Sequence, residues 1–470
     1  MTARWGDITV AELLVAVQGE LSVGNPETCL AGLSTDSRNI VPGELFLALR
    51  GERYDGHDFI RTALERGAAG VVLQELSGAP IPKGSAAAVI RVPDTLKALG
   101  DLAGWWKRAH GIPVAAITGS VGKTTTKEMT AGILERGAPT LKNKGNFNNL
   151  IGLPLTLLEM TDTHQRAVLE MGMNRPGEIA RLTEIADPVI GLITNVARAH
   201  LEGLGDMAGV ARAKVELVEK ISPQGRVLLN GDDALLMRTA SPLKKKFITY
   251  GQGRGHDIRA DNVRSLGRDG MAFDLLFDGK TVPLRLRVPG IQNVSNALAA
   301  CGIALCFEES LEHIAEGLEA FTGVKGRFAP FPLEGGVTLI DDTYNANPFS
   351  MKAALHALKA MSGGQGRLIV GLGEMLELGK ETATAHEEAG ATAAELGVHY
   401  LVALGEHADD MVRGALARGL PVERAEIAES RQDMAGRIRD LMKEGDWILI
   451  KGSRGMAMEE VIEKLKGPSF

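Results

Sequence analysis

Residues 117–127, ITGSVGKTTTK, combine glycines, a lysine and threonines at a spacing that suits phosphate binding. In such a loop the glycines let backbone N–H groups surround a phosphate, and Lys123 adds a full positive charge. Either Thr124 or Thr125 could then offer a hydroxyl group to Mg²⁺. The longer phosphate-loop pattern, G-x-x-x-x-G-K-[ST], would have a glycine at position 117, where this chain has isoleucine. An ordinary glycine-rich turn before a helix is the alternative interpretation.

The residues on both sides of this loop favour phosphate binding. Residues 113–117 are a short apolar run that predicts a buried strand, and residues 128–134 have the apolar spacing of a helix. A strand, a glycine-rich loop and a helix in this order bring the helix N-terminus, with its partial positive charge, to the loop. Because of this context we expect a nucleotide phosphate here.

Three further side chains that could take part in catalysis follow in the chain. Glu170 ends the apolar run 167–170, and a carboxylate at the end of a strand near a phosphate loop can hold Mg²⁺ directly or through water. An unrelated surface glutamate is the alternative. His200 follows the apolar run 189–193, and both a structural role and a metal or phosphate contact stay open for it. Lys214 lies in a predicted helix, where periodicity alone predicts a solvated lysine.

The composition argues against a nucleic-acid-binding or membrane protein. The 52 basic and 59 acidic residues give a net charge of −7, and only 4% of the residues are aromatic. No apolar run is long enough to span a bilayer, and the N-terminal residues MTARWGDITV lack the apolar core of a signal peptide. We therefore expect a cytoplasmic protein. The three cysteines have no metal-ligand spacing, and we expect them to be buried thiols: Cys29, Cys301 and Cys306.

The length of 470 residues predicts about three domains, and the predicted fold class is α/β. Residues 1–110 form a small α/β domain that ends where a glycine and a proline break a predicted helix. Residues 111–329 form a central domain with the parallel sheet of a phosphate-loop ATPase, followed by hairpins between residues 257 and 288. Residues 330–470 alternate strands and helices, which predicts a Rossmann-like domain with polar loops at the ends of its strands. This third domain has no second phosphate loop.

Several short segments, taken together, resemble a known family. They are STDSR, TGSVGKTTTKEM, GNFNNLIGLPLT, LEMGMNRPGEI, AKVEL, QNVSNALAA, GRF, DDTYNANPFSM, LGEMLELG and KGSRGMAME. Over nearly all of its length the chain resembles the Mur ligases, the ATP-dependent amide-bond-forming enzymes of bacterial cell-wall synthesis. The phosphate loop alone would also fit the related folylpolyglutamate synthetases, whereas DDTYNANP, LGEMLELG and KGSRGMAME are more specific. In this family a loop without the glycine at position 117 is normal.

The resemblance implies a reaction in two steps. ATP phosphorylates a carboxylate to an acyl phosphate, and an amine then attacks the acyl phosphate to form an amide. The implied substrates are a UDP-linked N-acetylmuramoyl-tripeptide and D-alanyl-D-alanine, with Mg²⁺ beside the ATP. We also expect no nucleic-acid partner and a monomeric enzyme. Another Mur-type or folylpolyglutamate-type ligase is the alternative within this fold. A phosphate-loop switch or motor is the alternative from another class.

For the central domain the resemblance implies that Lys123 holds the β- and γ-phosphates and Thr124 a Mg²⁺, with Glu170 and His200 serving the metals. It also implies that Lys214 reacts with CO₂ to form a carbamate that binds Mg²⁺, in place of the solvated lysine that periodicity predicts. The complete set of implied nucleotide-binding residues is Thr118, Gly119, Ser120, Val121, Gly122, Lys123, Thr124 and Thr125 in the loop, Asn293 and Asn296 on the adenine side, and Arg327 and Asp342 at the boundary with the third domain. The family often has histidine where this chain has Gln292.

The resemblance further implies where the two substrates bind. UDP would bind loops of the first domain, the muramoyl-peptide would lie near the GNFNN segment, and the dipeptide would meet loops of the third domain. The implied UDP-binding residues are Ser34, Thr35, Asp36, Ser37, Arg38, Asp55 and His57. Those near the muramoyl-peptide are Asn146 and Asn149, and those that would place the dipeptide are Tyr344, Asn345, Asn347 and Arg454.

Overall fold

The computed structural model describes residues 3–51, 53–74, 86–199 and 201–467. Its strands form three sheets of six, nine and six strands, and helices pack on them, which confirms the predicted α/β class. The strands of the three sheets come from residues 3–92, 114–286 and 329–451 in turn. Within the described part of the chain, no helix is both long and apolar enough to cross a membrane.

The described residues of the N-terminal domain form a six-stranded sheet with three α-helices. Its elements are β1 (Ala3–Thr9), α1 (Val10–Val17), β2 (Glu20–Val23), β3 (Cys29–Ser34), β4 (Leu45–Leu47), α2 (Ile60–Glu65), β5 (Gly70–Gln74), β6 (Ala88–Val92) and α3 (Thr95–His110). Strands β3, β4, β5 and β6 are parallel neighbours, and the antiparallel strands β1 and β2 form the two edges. Asp94 caps α3, because its carboxylate accepts the Lys97 N–H at 2.9 Å, and α3 ends at Gly111 with a left-handed φ of 64°.

The central domain is built on a nine-stranded sheet. Its elements are β7 (Val114–Thr118), α4 (Lys123–Gly137), β8 (Thr140–Lys142), α5 (Gly152–Leu158), β9 (Arg166–Glu170), α6 (Glu178–Ala186), β10 (Ile190–Ile193), α7 (Leu201–Leu204), α8 (Met207–Lys220), β11 (Arg226–Asn230), α9 (Ala234–Ala240), β12 (Phe247–Gly251), β13 (Ile258–Ser265), β14 (Met271–Phe277), β15 (Lys280–Leu286), α10 (Ile291–Cys306) and α11 (Leu311–Ala320). The strand order is β15-β14-β13-β12-β11-β10-β7-β9-β8. In this spatial order, all neighbouring strands from β13 through β7 to β8 are parallel. Strands β13, β14 and β15 form the predicted antiparallel hairpins.

The C-terminal domain has six strands in the order β16-β17-β21-β18-β19-β20, all parallel except β16. The strands are β16 (Ala329–Pro332), β17 (Thr338–Asp342), β18 (Leu368–Gly373), β19 (Tyr400–Leu404), β20 (Ala425–Ala428) and β21 (Trp447–Lys451). The helices are α12 (Pro348–Ser362), α13 (Thr382–Glu395), α14 (Ala408–Ala417), α15 (Arg431–Leu441) and α16 (Glu459–Lys466). Alternate residues of the parallel strands belong to two separate apolar clusters, one on each face of this sheet.

Helix α3 belongs to the cores of two domains. One continuous set of buried apolar side chains runs from the N-terminal sheet through α3 into the central domain, and it includes Leu30, Leu102 and Leu153. The helix packs against α1 on one side and against α5 and α6 on the other. Trp106 Nε1 also donates a hydrogen bond to the Met160 carbonyl at 3.1 Å. The first two domains are therefore joined by shared apolar burial.

Candidate active site

The order of the central strands places the phosphate loop between two other strand ends. Strand β7 lies between β9 and β10, with Ile117 opposite Glu170 and Thr118 opposite Ile193. The Glu170 carboxylate therefore lies on one side of the loop, and Thr194 follows β10 on the other side. This is the position that the sequence predicts for Glu170, because parallel strands end at the same edge of the sheet.

At two positions of the loop, the backbone conformation and the close approach of neighbouring side chains favour glycine. Gly119 has a φ of 148° and Gly122 a φ of 88°, which other residues rarely adopt. A Cβ atom at Gly119 would lie 1.8 Å from Thr194 Oγ1, and one at Gly122 would lie 2.3 Å from Asn296 Oδ1. A side chain at either position would force the loop, or the contacting side chain of Thr194 or Asn296, to move.

Part of the loop is held by the segment that follows β10. The Ser120 N–H donates to the Asn195 carbonyl, and the Val121 N–H donates to Asn195 Oδ1, both at 3.0 Å. Thr118 Oγ1 donates to the Met171 carbonyl at 2.9 Å, so the Thr118 hydroxyl holds neighbouring strands together. Because the first turn of a helix has no internal acceptors for its N–H groups, those of α4 provide the donors for a phosphate. These donors belong to Lys123, Thr124 and Thr125.

A buried network holds the Glu170 carboxylate beside the start of α4. Thr124 Oγ1 donates to Glu170 Oε2 at 2.8 Å, and Asn148 Nδ2 donates to Glu170 Oε1 at 2.7 Å. Asn143 holds the Glu170 backbone, since its side chain accepts from the Glu170 N–H and donates to the Glu170 carbonyl, both at 2.9 Å. Asn143 and Asn148 are not among the site residues predicted from the sequence, although the density of asparagines in residues 143–149 could have suggested such a network.

Two lysines lie next to this network, Lys123 half-buried at its edge and Lys214 buried. Lys123 Nζ donates to the Gly119 carbonyl at 2.9 Å, and burial lowers the pKa of Lys123 although Glu170 opposes the shift. Lys214 is 2% exposed, so the solvated position that periodicity predicts is wrong. Burial, together with the charge of Lys123, lowers the pKa of Lys214 well below its ordinary value. Lys214 has no hydrogen-bond or ion-pair partner among the side chains that the structure describes, and His200 lies outside the described residues.

Side chains at the domain boundary close the site from the C-terminal domain. The Arg327 guanidinium stacks on the Tyr344 ring, with its Cζ 3.9 Å from the ring centroid, and its Nη2 donates to Thr124 Oγ1 at 3.4 Å. Asp342 Oδ2 pairs with Lys451 Nζ at 2.7 Å. Burial raises the pKa of Asp342, although Lys451 and Arg327 oppose that shift. Lys451 is not among the site residues predicted from the sequence, although its position at the end of the apolar run 447–450 could have indicated it.

The phosphate loop faces a cleft between the central and C-terminal domains. The residues that line the cleft from the C-terminal side are Asn345, Ala346, Asn347, Ser350, Leu376, Glu377, Ser453, Arg454 and Gly455. Two of the asparagines predicted to place the dipeptide also have structural roles. Asn347 Oδ1 caps α12 by accepting the Ser350 N–H at 2.9 Å, and Asn345 Oδ1 accepts the Arg454 N–H at 3.3 Å. The Arg454 side chain is exposed and pairs with Glu459 at 2.8 Å.

A second cavity of about 770 Å³ lies between the same two domains, next to α10. That volume suits a nucleoside. Asn296 lines the cavity, whereas the Asn293 side chain is tied to its own helix, because its Nδ2 donates to the Pro289 carbonyl at 2.7 Å and its Oδ1 accepts from Asn296 at 3.2 Å. Asn293 therefore positions Asn296. Other polar and aromatic residues along the cavity are Asn230, Tyr250, Gln252, Gln292, Ser295, Phe349, Lys352 and His356.

In the N-terminal domain, the implied UDP-binding loops follow the carboxyl ends of parallel strands. The Asp36 carboxylate accepts hydrogen bonds from Arg38 and Asn39, which orders the loop after β3. His57 is buried, and both ring nitrogens are engaged, Nδ1 by the Asp55 carboxylate and Nε2 by the Gln74 N–H at 3.0 Å. His57 therefore supports the loop structure. Although burial opposes it, hydrogen bonds from His57 and Arg50 lower the pKa of Asp55 to about 2.

The two asparagines implied near the muramoyl-peptide differ in their surroundings. Asn149 Oδ1 accepts the N–H groups of Ile151 and Gly152 at 3.1 and 2.8 Å, so Asn149 supports the start of α5. Asn146 and Asn149 are both exposed, so a ligand can reach either residue.

Three family models match consecutive parts of the chain. The model described as "Mur ligase family, catalytic domain" matches residues 30–106, "Mur ligase middle domain" matches residues 117–304, and "Mur ligase, glutamate ligase domain" matches residues 326–454. Together these matches include the phosphate loop and parts of all three sheets.

Individual proteins resemble the chain from end to end. The UDP-N-acetylmuramoyl-tripeptide–D-alanyl-D-alanine ligase of Bacillus subtilis is 36% identical over 460 residues, which are 97% of this chain and 98% of the relative. The crystal structure of MurF from Acinetobacter baumannii has a TM-score of 0.88 and 33% identity, and covers 98% of this chain and 99% of its own. MurF ligase from Thermotoga maritima, solved in complex with ADP, has a TM-score of 0.82 and 26% identity over 92% of this chain and 96% of its own.

Proposed function

The chain belongs to the Mur ligase family of ATP-dependent ligases, and from this premise we propose that it joins D-alanyl-D-alanine to UDP-N-acetylmuramoyl-tripeptide. The product is the UDP-linked muramoyl-pentapeptide precursor of peptidoglycan. The observation that carries this proposal is the end-to-end match with ligases of that name.

The first chemical step is transfer of the γ-phosphoryl group of ATP to the terminal carboxylate of the tripeptide. Catalysis of such a transfer depends on positioning and on neutralising the negative charges that meet there. The N–H groups at the start of α4 and the Lys123 ammonium provide that neutralisation in a buried site, where electrostatic interactions are stronger than in water. The stacked Arg327 adds a second positive charge from the other side of the cleft.

The residues beside α4 suit Mg²⁺, which prefers oxygen ligands. The Thr124 hydroxyl and the Glu170 carboxylate would hold it, and Asn148 fixes the direction of that carboxylate. Bound Mg²⁺ supplies positive charge to the phosphate oxygens. The low pKa of Lys214 favours a neutral amine, which is the form that adds to CO₂, so a carbamate at Lys214 would provide one more oxygen ligand.

The remaining predictions concern substrates, location and assembly. The loops 34–38 and 55–57 bind UDP. Tyr344, Asn345, Asn347 and Arg454 help to place the dipeptide. A cytoplasmic location agrees with the use of ATP and a UDP-linked substrate. The enzyme acts as a monomer, since both walls of the cleft come from one chain.

The direct test measures ADP and phosphate release with ATP, UDP-N-acetylmuramoyl-tripeptide and D-alanyl-D-alanine, and identifies the product by mass spectrometry. Tripeptides that carry lysine or diaminopimelate at the third position are compared, with free glutamate as an alternative amine. We expect turnover that requires both substrates and yields the pentapeptide. ATP hydrolysis that needs neither substrate, or turnover with folate and glutamate, would contradict the proposal.

The carbamate is tested by Lys214→Ala, with Lys220→Ala on the exposed side of the same helix as the control. Lys214→Ala should abolish turnover, and acetate or formate should partly restore it by occupying the place of the missing carbamate. Lys220→Ala should behave like the wild type. Full activity of Lys214→Ala would exclude a role for a carbamate.

A further inference from the structure

The loop after β18, residues 374–377, forms part of the cleft wall on the C-terminal side. Leu376 and Glu377 of this loop line the cleft, together with Asn345, Asn347 and Arg454 from two other loops of the domain. In the proposed reaction this wall meets the incoming dipeptide. The shape of the loop 374–377 therefore bears on the second step, in which the amide bond forms.

The conformation of this loop depends on contacts from outside it. The φ of Glu377 is 63°, in the left-handed region that glycine or asparagine adopts more readily than glutamate. Such a backbone persists only where its surroundings hold it in place. The Met375 N–H donates to His386 Nε2 at 2.9 Å. The Leu376 N–H donates to Ser453 Oγ, also at 2.9 Å, so the loop is held both by α13 and by the loop after β21.

The hydrogen bonds of His386 define its protonation state. Its Nε2 accepts the Met375 N–H and therefore carries no proton. Its Nδ1 lies 2.7 Å from the Thr382 carbonyl, which can only accept, so Nδ1 carries the proton. The His386 side chain is fully buried in this arrangement, which fits a neutral ring in a single tautomer. Protonation of Nε2 would place two N–H groups against each other and break the hydrogen bond to Met375.

The groups around the ring act on its charge in opposite directions. His407, just before α14, stacks on His386 with the ring centroids 5.1 Å apart. Burial lowers the pKa of His386, and the charge of His407 adds to this shift. The Thr382 carbonyl and the carboxylates of Glu374 and Asp410 oppose it. Because the net effect is a lower pKa, the ring is neutral at pH 7 and serves as an acceptor there.

We propose that His386 is a positioning residue for the amide-forming step, because its neutral ring holds the loop 374–377 in the shape that receives the dipeptide. This inference rests on the proposed function. His386 is fully buried and is not among the residues that line the cleft, so it acts through the loop. The groups that serve phosphoryl transfer, Lys123, Thr124 and Glu170, belong to the central domain. Loss of the His386 acceptor should therefore affect the dipeptide and leave acyl phosphate formation unchanged.

The test compares His386→Leu with His386→Gln in the full-length protein. Leucine fills the buried space but leaves the Met375 N–H without an acceptor, whereas the glutamine side-chain oxygen can take the place of Nε2. In His386→Leu, kcat/KM for the dipeptide should fall by about 10-fold or more, the effect expected for a buried donor without a partner. The KM for ATP should not change. His386→Gln should recover most of the lost activity.

Ala393→Gly is the matched control for a general loss of stability. Ala393 is buried in the same helix, about two turns after His386, and glycine destabilises a helix without removing any acceptor. This variant should have a lower Tm and the wild-type kcat/KM for the dipeptide. Hydrogen–deuterium exchange adds a direct measurement, since the Met375 amide should exchange faster in His386→Leu than in the wild type. In His386→Gln and Ala393→Gly its exchange should stay close to that of the wild type.

The pH dependence separates the hydrogen bond from the bulk of the side chain. Glutamine does not titrate, so the ratio of kcat/KM for the dipeptide between wild type and His386→Gln should be constant around neutral pH. Because the pKa of His386 is lowered, the ratio should fall only below the ordinary histidine value of 6.5. Titration of the dipeptide amine cancels in this ratio, and the comparison does not need a folded His386→Leu. A ratio that does not change in acid would contradict the proposal.

Positional isotope exchange in ¹⁸O-labelled ATP separates this inference from the proposed function. Measured with the tripeptide and without the dipeptide, it reports acyl phosphate formation and should be equal in the wild type and both His386 variants. Absence of exchange in the wild type would count against the proposed function itself. The role of His386 is overturned if His386→Leu keeps wild-type activity with the dipeptide, or if His386→Gln is no more active than His386→Leu. It is also overturned if Ala393→Gly loses as much activity, or if isotope exchange falls to the same extent as amide formation.

Discussion

The two boundaries between the domains are built differently. Between the N-terminal and central domains, α3 carries one apolar core across the boundary, with Leu102 fully buried within it. Between the central and C-terminal domains, the described residues form no shared apolar core, because the buried apolar clusters of the two domains are separate. Arg198 pairs with Glu381 and Glu388 at 3.3 and 3.4 Å, and all three side chains are more than 40% exposed.

This difference separates a fixed boundary from a movable one. Apolar burial contributes about 25 cal/mol for each Å² removed from water, and opening the first boundary would expose much of it. Solvent-exposed ion pairs contribute only about 0–1 kcal/mol each, so the second boundary can open at small cost. Both the phosphate cleft and the larger cavity lie at the second boundary. Nucleotide and dipeptide can thus enter where the contacts are weak, while closure excludes water from the acyl phosphate.

The largest effect on stability is expected from a cavity in the apolar core that the N-terminal and central domains share. Leu102→Ala removes a fully buried side chain of α3 and should lower the free energy of unfolding by about 2–5 kcal/mol. Leu96→Ala, on the same helix but 37% exposed, is the matched control and should change it by only about 0.5 kcal/mol. Chemical denaturation measures both. Equal effects of the two variants would contradict a core that is shared through α3.

A smaller effect on stability, which arises in the N-terminal domain, is expected at acidic pH. The pKa of Asp55 is about 2 in the folded protein and 3.8 for an ordinary aspartate, so its interactions stabilise the fold above about pH 4. That stabilisation is lost as the pH falls from 3.8 towards 2. The difference in free energy of unfolding between wild type and Asp55→Asn should therefore be largest at neutral pH and shrink in acid. The exposed neighbour Asp58 provides the control Asp58→Asn, and a difference that does not shrink would contradict the assignment.

The smallest effect on stability is expected at the polar boundary. Arg198→Ala should lower the free energy of unfolding by less than about 1 kcal/mol, because its ion pairs are exposed. It should nevertheless increase the radius of gyration of the nucleotide-bound protein in small-angle X-ray scattering, since contacts that favour closure are lost. The difference from the wild type should disappear at high salt.

The control for this variant is Arg413→Ala, whose ion pairs with Glu387 and Asp410 lie within the C-terminal domain. It should leave the radius of gyration unchanged. If both variants expand the protein equally, or neither does, the ion pairs of Arg198 are not what holds the boundary closed.

The general arrangement of the site could be predicted from the sequence because local patterns determine it. The strand, loop and helix around residues 114–137 follow from apolar spacing and glycine positions, and Glu170 reaches the loop because parallel strands end together. Lys214 could not be placed in this way. Helical periodicity identifies a face, but the partners of that face come from distant strands, and only they decide whether the lysine is buried.

The roles of individual polar residues could also not be predicted from the sequence. Thr118, Asn293 and Asn149 have side chains that satisfy neighbouring backbone groups or a helix start, which a motif cannot distinguish from contact with a ligand. Glu377 was part of a quoted motif, yet its left-handed backbone and its position in the cleft depend on contacts from α13 and from the loop after β21. Those contacts join residues far apart in the chain.

The shared core of α3 has a further consequence for the choice of substrate. With UDP bound at the loops 34–38 and 55–57, as proposed, the nucleotide end of the substrate and the γ-phosphate of ATP are held on one rigid body, at a separation that closure of the third domain does not change. The first two domains then select substrates by the length of their peptide. A muramoyl-peptide that is one residue too short or too long places its terminal carboxylate away from the phosphate, so peptide length is measured before any amine arrives.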